Sequence, residues 1–406
     1  YSYSMKASIR IQLSFMMFLQ FFVWGIWYVT MGTYLGEIGF DGLNVGAAYS
    51  TINWGAIISP FFIGMIADRF FSAERVMGII HIIGGLILYY LVGVTDPTAF
   101  FWTLLVYALL YMPTLGLANA ICFNQMKNTE TEFPPIRVLG TIGWILAGFV
   151  ISYLDLEKSG NVFKIGAAVS IVLGIYAFFL PKTPPKDKGK APSIRDILGL
   201  DALALLKDRS FSILIACSLL ISIPLAFYYS FTNPFLTEIG MENSAGKMAL
   251  GQVSELLFLL LMPLFFARFG VKKMLLIGMM AWVARYLLFA YGNNDNLVSM
   301  LYMGIILHGI CYDFFFVTAQ IYVDQAAPKK IQAQAQGFIT LITYGLGMLI
   351  GSWAAGAFVK QYTLADGSHL WQTIWLIPAG MALIAALLFW TFFKDDKKRK
   401  QLLTNT

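Results

Sequence analysis

The sequence predicts an all-α membrane protein of twelve transmembrane helices in two six-helix halves. Three observations predict it. Of 406 residues, 58% are hydrophobic and only 12% charged, and the mean hydropathy is +0.71, a composition foreign to soluble domains of this size. Apolar segments recur that are long enough, at about 1.5 Å per helical residue, to cross a hydrocarbon core of about 30 Å. These segments form two sets of six on either side of a polar interval at 181–209.

The first set lies at roughly 11–35, 45–67, 76–94, 99–126, 138–154 and 162–180. The run after Arg10 is too long for the apolar part of a cleavable signal and no small-residue cleavage site follows it, so it reads as a span. The polar interval opens with PKTPPKDKGKAP, which has no capacity for a core. It continues over 193–207 as SIRDILGLDALALLK, where Ile194, Ile197, Leu198 and Leu205 share one side of a helix that Ser193 can cap. A surface helix along the membrane face is expected there. The second set lies at roughly 210–239, 247–267, 274–292, 298–325, 333–357 and 371–393. The expected units are therefore an N-terminal bundle (1–180), a linker with an amphipathic helix (181–209), a C-terminal bundle (210–393) and a basic tail (394–406).

Charge sets the orientation. Of the 28 lysines and arginines, all but Lys158, Lys164, Lys247, Lys360 and the mid-span Arg285 fall in the termini and in the loops on the same side. That asymmetry puts both ends in the cytoplasm of a multi-pass protein. It also accounts for the net charge of +6 without a nucleic-acid partner; membrane lipid is the partner expected. Cys122, Cys217 and Cys311 all sit in apolar segments, as packing residues do. The halves echo each other at an offset of about 200 residues: ADRF at 67–70 answers FARF at 266–269, each in a basic turn after the second span of its half. Parallel repeats of this kind suit a transporter whose halves rock about a site at the bilayer midplane.

Charges inside hydrocarbon are costly and mark function. Within 248–267 (MALGQVSELLFLLLMPLFFA) Glu255 is alone, with Gln252 three residues earlier on the same helical face. This face is expected to line a polar cavity, with Glu255 sensing a solute, a proton or both. Asp313 lies mid-span among Tyr312, Phe314, Phe315 and Phe316, apolar surroundings in which a carboxyl can hold a proton. Arg285 and Arg137 are the intramembrane bases, and pairing between the two acids and the two bases is expected to offset desolvation. Gln20, Trp24 and Trp27 share a stripe in the first span; Arg137, Thr141 and Trp144 share one in the fifth; the seventh carries Phe227, Tyr228, Tyr229, Phe231 and Asn233. Flat rings and amides suit an aromatic heterocycle, and carboxylates and arginine suit vicinal hydroxyls. His81 and His308 read as packing groups. No nucleophile triad, zinc set or phosphate loop is present, so an enzyme is not expected, and no cofactor is expected beyond protons as the coupling ion.

GMIADR at 64–69 resembles the loop signature between the second and third spans of the major facilitator superfamily, in which Asp68 and Arg69 would latch neighbouring helix ends during rocking. FLQFFVWGIW (18–27), YMPTLGLAN (111–119), TEFPPIRVLGTIGW (131–144), LGLDALALLK (198–207), ARYLLFAYG (284–292) and WQTIWLIPAG (371–380) resemble the bacterial nucleoside:proton symporters of that superfamily, in register from the first span to the last. The resemblance implies the major facilitator fold, a bacterial inner-membrane location, nucleoside substrates such as uridine and adenosine, inward proton flow as driving force, and a monomer. Its polar site maps onto Arg137, Thr141, Gln252, Glu255 and Asp313, with Trp144 and Tyr229 or Phe316 stacking on the base. The seventh span departs from the family's pattern, with Ala226 and Tyr229 where amides are expected, and Trp144 stands where a smaller aromatic is usual. A proton symporter for another small polar solute, such as a sugar, would fit the same architecture.

Overall fold

The computed structural model describes residues 5–62, 71–185, 193–197 and 200–394. Among these, all regular structure is helical apart from one isolated bridge between Thr363 and His369. The first half comprises α1 (Ala7–Tyr28), α2 (Met31–Glu37), α3 (Gly42–Phe62), α4 (Ala73–Leu91), α5 (Pro97–Asn124), α6 (Thr129–Tyr153) and α7 (Asn161–Ala177), with α1 and α2 sharing the first span. A single turn, α8 (Ile194–Ile197), and a 3-10 segment (Leu200–Lys207) belong to the linker. The second half comprises α9 (Arg209–Glu238), α10 (Ser244–Tyr291), α11 (Val298–Ile306), α12 (His308–Tyr312), α13 (Thr318–Ala326), α14 (Gln332–Thr340), α15 (Met348–Gln361) and α16 (Trp371–Phe392). The eighth and ninth spans run together in α10 and part at Gly270, whose φ of 70° and ψ of 174° suit glycine alone. Nine described helices are long and apolar enough to cross a membrane. Counting α10 twice and adding α3 and the shorter apolar α7 gives the twelve spans.

Local chemistry explains where the helices begin and end. Asp96 caps α5 by accepting from the backbone N–H of Ala99 at 2.8 Å, with Pro97 at the first helical position, and Asp208 caps α9 by accepting from Phe211 N–H at 2.8 Å. The first span of each half closes with the same turn. Gly39 (φ 94°) and Gly240 (φ 88°) are left-handed, and the next residues, Phe40 and Met241, donate back to the carbonyls of Leu35 and Leu236, both at 2.9 Å. Two Schellman turns 201 residues apart express the internal repeat in the backbone itself.

The linker differs from the expected continuous amphipathic helix. Over Leu200–Lys207 it is 3-10, in which residues three apart align, so its apolar stripe is the exposed Leu200, Leu203 and Leu206. The tenth and eleventh spans each contain a π-helical turn, Asp313–Val317 and Leu341–Gly347. The halves meet where α3 packs on α15, α6 on α10 and α2 on α9. At the α3–α15 crossing Gly42 and Gly46 face Gly356 so closely that a Cβ on Gly356 would lie 2.6 Å from the Gly42 carbonyl oxygen. The expected latch residues Asp68 and Arg69 lie outside the described residues.

Candidate functional site

Polar and aromatic side chains from both halves converge between the two bundles. Trp144 of α6 packs edge-on against Trp24 and Tyr28 of α1, with ring centroids 5.4 and 5.9 Å away. Tyr28 also touches Tyr229 of α9 across the interface, at 5.7 Å. Trp144, Gly148, Tyr229, Met248 and Gln252 border one void between the halves. Its volume is about 20 Å³, room for about one water. As it stands, that void does not hold a larger solute.

Glu255 lies one turn below Gln252 on α10, with its side chain 19% exposed. Arg137 of α6 lies within electrostatic reach of Glu255, Tyr312 and Tyr344, and its guanidinium lies 4.1 Å over the ring of Phe21. Thr141 sits between Arg137 and Trp144 on α6, half-buried. Phe316 is buried behind Tyr312 and Tyr344, with centroids 5.4 and 6.1 Å from theirs. The hydroxyls of Tyr312 and Tyr344 hydrogen-bond each other.

Asp313 stands apart from this group. It opens the π-helical turn of the tenth span, is 1% exposed, and neither carboxyl oxygen has a hydrogen-bonding partner among the described residues. The expected acid–base pairing is not what the structure contains: no ion pair among the described residues joins Glu255 or Asp313 to Arg137 or Arg285. Glu255 instead lies 3.3 Å from Nε2 of His308. Arg285, fully buried, donates to the carbonyls of Gly304 and Ile305 and packs over Tyr228. The helix ends supply the reason, because free carbonyls where α11 stops are a cheaper counterpart for a buried guanidinium than a second ion.

Of the aromatic stripes, only part reaches the interface. Gln20 and Trp27 are buried within the first half, where Gln20 bonds Thr114 at 2.7 Å and His81 at 2.8 Å; Trp24 is half-buried beside Trp144. In α9, Phe227, Tyr228, Phe231 and Asn233 are buried and Tyr229 is half-buried; Tyr228 and Tyr229 border the void, and Asn233 accepts from the Thr33 hydroxyl of the other half at 2.5 Å. Sequence reasoning takes His308 for a packing group and passes over Tyr344. A mid-span histidine has no one-dimensional signature, and the π-helical turn that carries Tyr344 rotates its neighbours off a 3.6-residue count.

The profile of the nucleoside H+ symporter family matches residues 5–398. The chain is 43% identical to YegT, a putative nucleoside transporter of Escherichia coli K12, over 95% of this chain and 94% of that protein. It is 36% identical to the nucleoside permease NupG of the same organism, over 98% and 99%. A crystal structure of a point mutant of the nucleoside transporter NupG superposes with a TM-score of 0.90, covering 95% of this chain and 100% of that one. The two chains therefore share one fold, which in this chain is the two-half, twelve-span arrangement described above.

Proposed function

The chain belongs to the nucleoside H+ symporter family, and from that premise we propose how its residues divide the carriage of a nucleoside and a proton. It is a transporter and not an enzyme, importing nucleosides with protons by alternating access around a central site. The base stacks between Trp144 of one half and Tyr229 of the other, with Phe316 backing the aromatic wall. Thr141 and Gln252 hydrogen-bond the substrate. Glu255 accepts from the ribose hydroxyls, a charge-assisted contact that Arg137 tunes from the opposite half. Asp313 exchanges the proton, because a buried carboxyl with no donor among the described residues holds a proton far more cheaply than it holds a charge. The observation that carries this reading is that Trp144, Tyr229 and Gln252 border one void although they come from opposite halves.

Uridine and adenosine are the proposed substrates, and the protein acts as a monomer in the bacterial inner membrane with both termini in the cytoplasm. Lipid covers outward side chains such as Leu260 and Trp390, 72% and 65% exposed. With that orientation the α3–α15 contact closes the outer face, and the basic loops mark the side to which the site opens. Asp68 and Arg69 are proposed to latch the inner helix ends. Protons are the only coupling species required: one entering down about 100 mV supplies about 2.3 kcal/mol, and each pH unit adds about 1.4. Uptake of a nucleoside panel into proteoliposomes under an imposed inward proton gradient tests the assignment. Accumulation of uridine and adenosine that collapses with the gradient is expected; uptake of sugars and not nucleosides would overturn it.

A further inference from the structure

His308 opens α12 directly after the break that follows α11 and is fully buried. Its two ring nitrogens face different partners. Nδ1 lies 3.1 Å from Nη1 of Arg285, and Nε2 lies 3.3 Å from Oε2 of Glu255. Arg285 cannot adjust: its Nε donates to Gly304 O at 2.7 Å, its Nη2 to Ile305 O at 3.2 Å, and its plane is 3.9 Å over the ring of Tyr228, which also stacks on His308 at 5.0 Å.

A guanidinium only donates, so Nδ1 of His308 must accept and the ring proton must sit on Nε2, pointing at Glu255. An imidazolium would set a second N–H against Arg285 with no room to retreat. The Gln252 amide nitrogen lies 3.1 Å from Nε2, and since two donors cannot face each other, that amide turns over to present its oxygen to the N–H and its NH2 away from the ring. We infer that His308, locked in one tautomer by Arg285, is a positioning residue that aims the Glu255 carboxylate at the substrate's hydroxyls. The inference rests on the proposed contact between Glu255 and ribose. Arg285 itself touches neither the acid nor the void; its influence reaches the site through the ring, much as an outer ligand orients an inner one.

The test compares two amide substitutions. In His308→Gln one amide spans both ring positions, accepting from Arg285 and donating to Glu255. In His308→Asn the shorter side chain still accepts from Arg285 but falls short of Glu255. Both leave Arg285 partnered, so both are expected to fold, judged by thermal unfolding in detergent. KM for uridine and for 2′,3′-dideoxyuridine is measured in proteoliposomes for wild type, both variants and Glu255→Gln. Wild type and His308→Gln are expected to favour uridine by about tenfold or more, the loss typical of a hydrogen bond to a charged group, and His308→Asn and Glu255→Gln by less than about threefold. Discrimination that survives in His308→Asn but not in Glu255→Gln overturns the positioning role and leaves the ribose contact standing. Equal KM for both nucleosides in wild type overturns the ribose contact itself, and the inference with it. Should His308→Asn not fold, loss of discrimination in His308→Gln overturns the inference and its retention supports it.

Discussion

Asp41 and Lys360, from opposite halves, lie 2.9 Å apart at the end of the α3–α15 crossing. Partial burial pushes the Asp41 carboxyl upward, but the backbone N–H of Asn44 and the ammonium of Lys360 outweigh it and hold the group below its ordinary range. Because the value is lowered in the closed form, the pair stabilises closure fully above the ordinary carboxylate value of about 4 and loses that contribution as pH falls through the lowered one. The latch therefore stays intact across the pH range over which a proton gradient operates. Both side chains are well exposed, so its contribution is about 0.2–1 kcal/mol. Lys360→Ala is expected to raise the open population by about 1.4-fold to fivefold. The labelling rate of a cysteine placed at the buried Ser352 of α15 reports it; an unchanged rate would show the pair to be idle.

The glycine contact should matter far more than the ion pair. The three atoms nearest a Cβ on Gly356 all belong to α3, the Gly42 carbonyl oxygen and the Cα atoms of Gly46 and Leu43, so a larger side chain first disturbs the seam between halves. Gly356→Val is expected to leave thermal unfolding within a few degrees of wild type while uptake falls at least about tenfold, since overpacking a tight contact costs about 1–3 kcal/mol and here falls on one state of the cycle. Near-normal uptake would mean that this seam is not a gate.

The architecture is legible in the sequence because it depends on sums over many residues. Hydropathy over twenty positions and a repeat of about 200 residues both survive errors at single sites. Glu255 is legible for a different reason, since one charge in hydrocarbon stands out against its neighbours. What sequence reasoning misplaces is depth and direction. Arg285 reads in one dimension as a partner for an acid, yet it serves the broken end of α11 and the ring of His308. Gln20 and Trp27 read as cavity-facing although they pack within one half. The π-helical turns at Asp313–Val317 and Leu341–Gly347 add residues to a turn, which shifts the face of everything beyond them; a fixed helical period cannot foresee that.

Asp313→Asn separates coupling from binding. Asparagine keeps the shape of a carboxylic acid and cannot release a proton, and the native carboxyl has no hydrogen bond to lose among the described residues. Gradient-driven accumulation of uridine is expected to fall to equilibrium, while exchange of labelled for unlabelled uridine with no gradient stays within about threefold of wild type, a change of under about 1 kcal/mol. Exchange abolished together with accumulation would place Asp313 in the binding step.

Trp144 gives the sharpest test of the stacking role. Its ring is held by Trp24 and Tyr28, and a Cβ added to the opposing Gly25 would come within 3.1 Å of it, so its orientation is set before substrate arrives. Stacking of a base on an aromatic ring contributes about 1–3 kcal/mol, so Trp144→Ala is expected to raise KM for uridine about tenfold or more. Trp144→Phe, which keeps a flat face, is expected to recover most of that loss. The preference for uridine over 2′,3′-dideoxyuridine should persist in both variants, because the ribose contact lies on α10 and not on α6. If Trp144→Ala removed that preference and left affinity intact, the indole would be acting on the sugar end of the site, and the direction assigned to the bound nucleoside would be reversed.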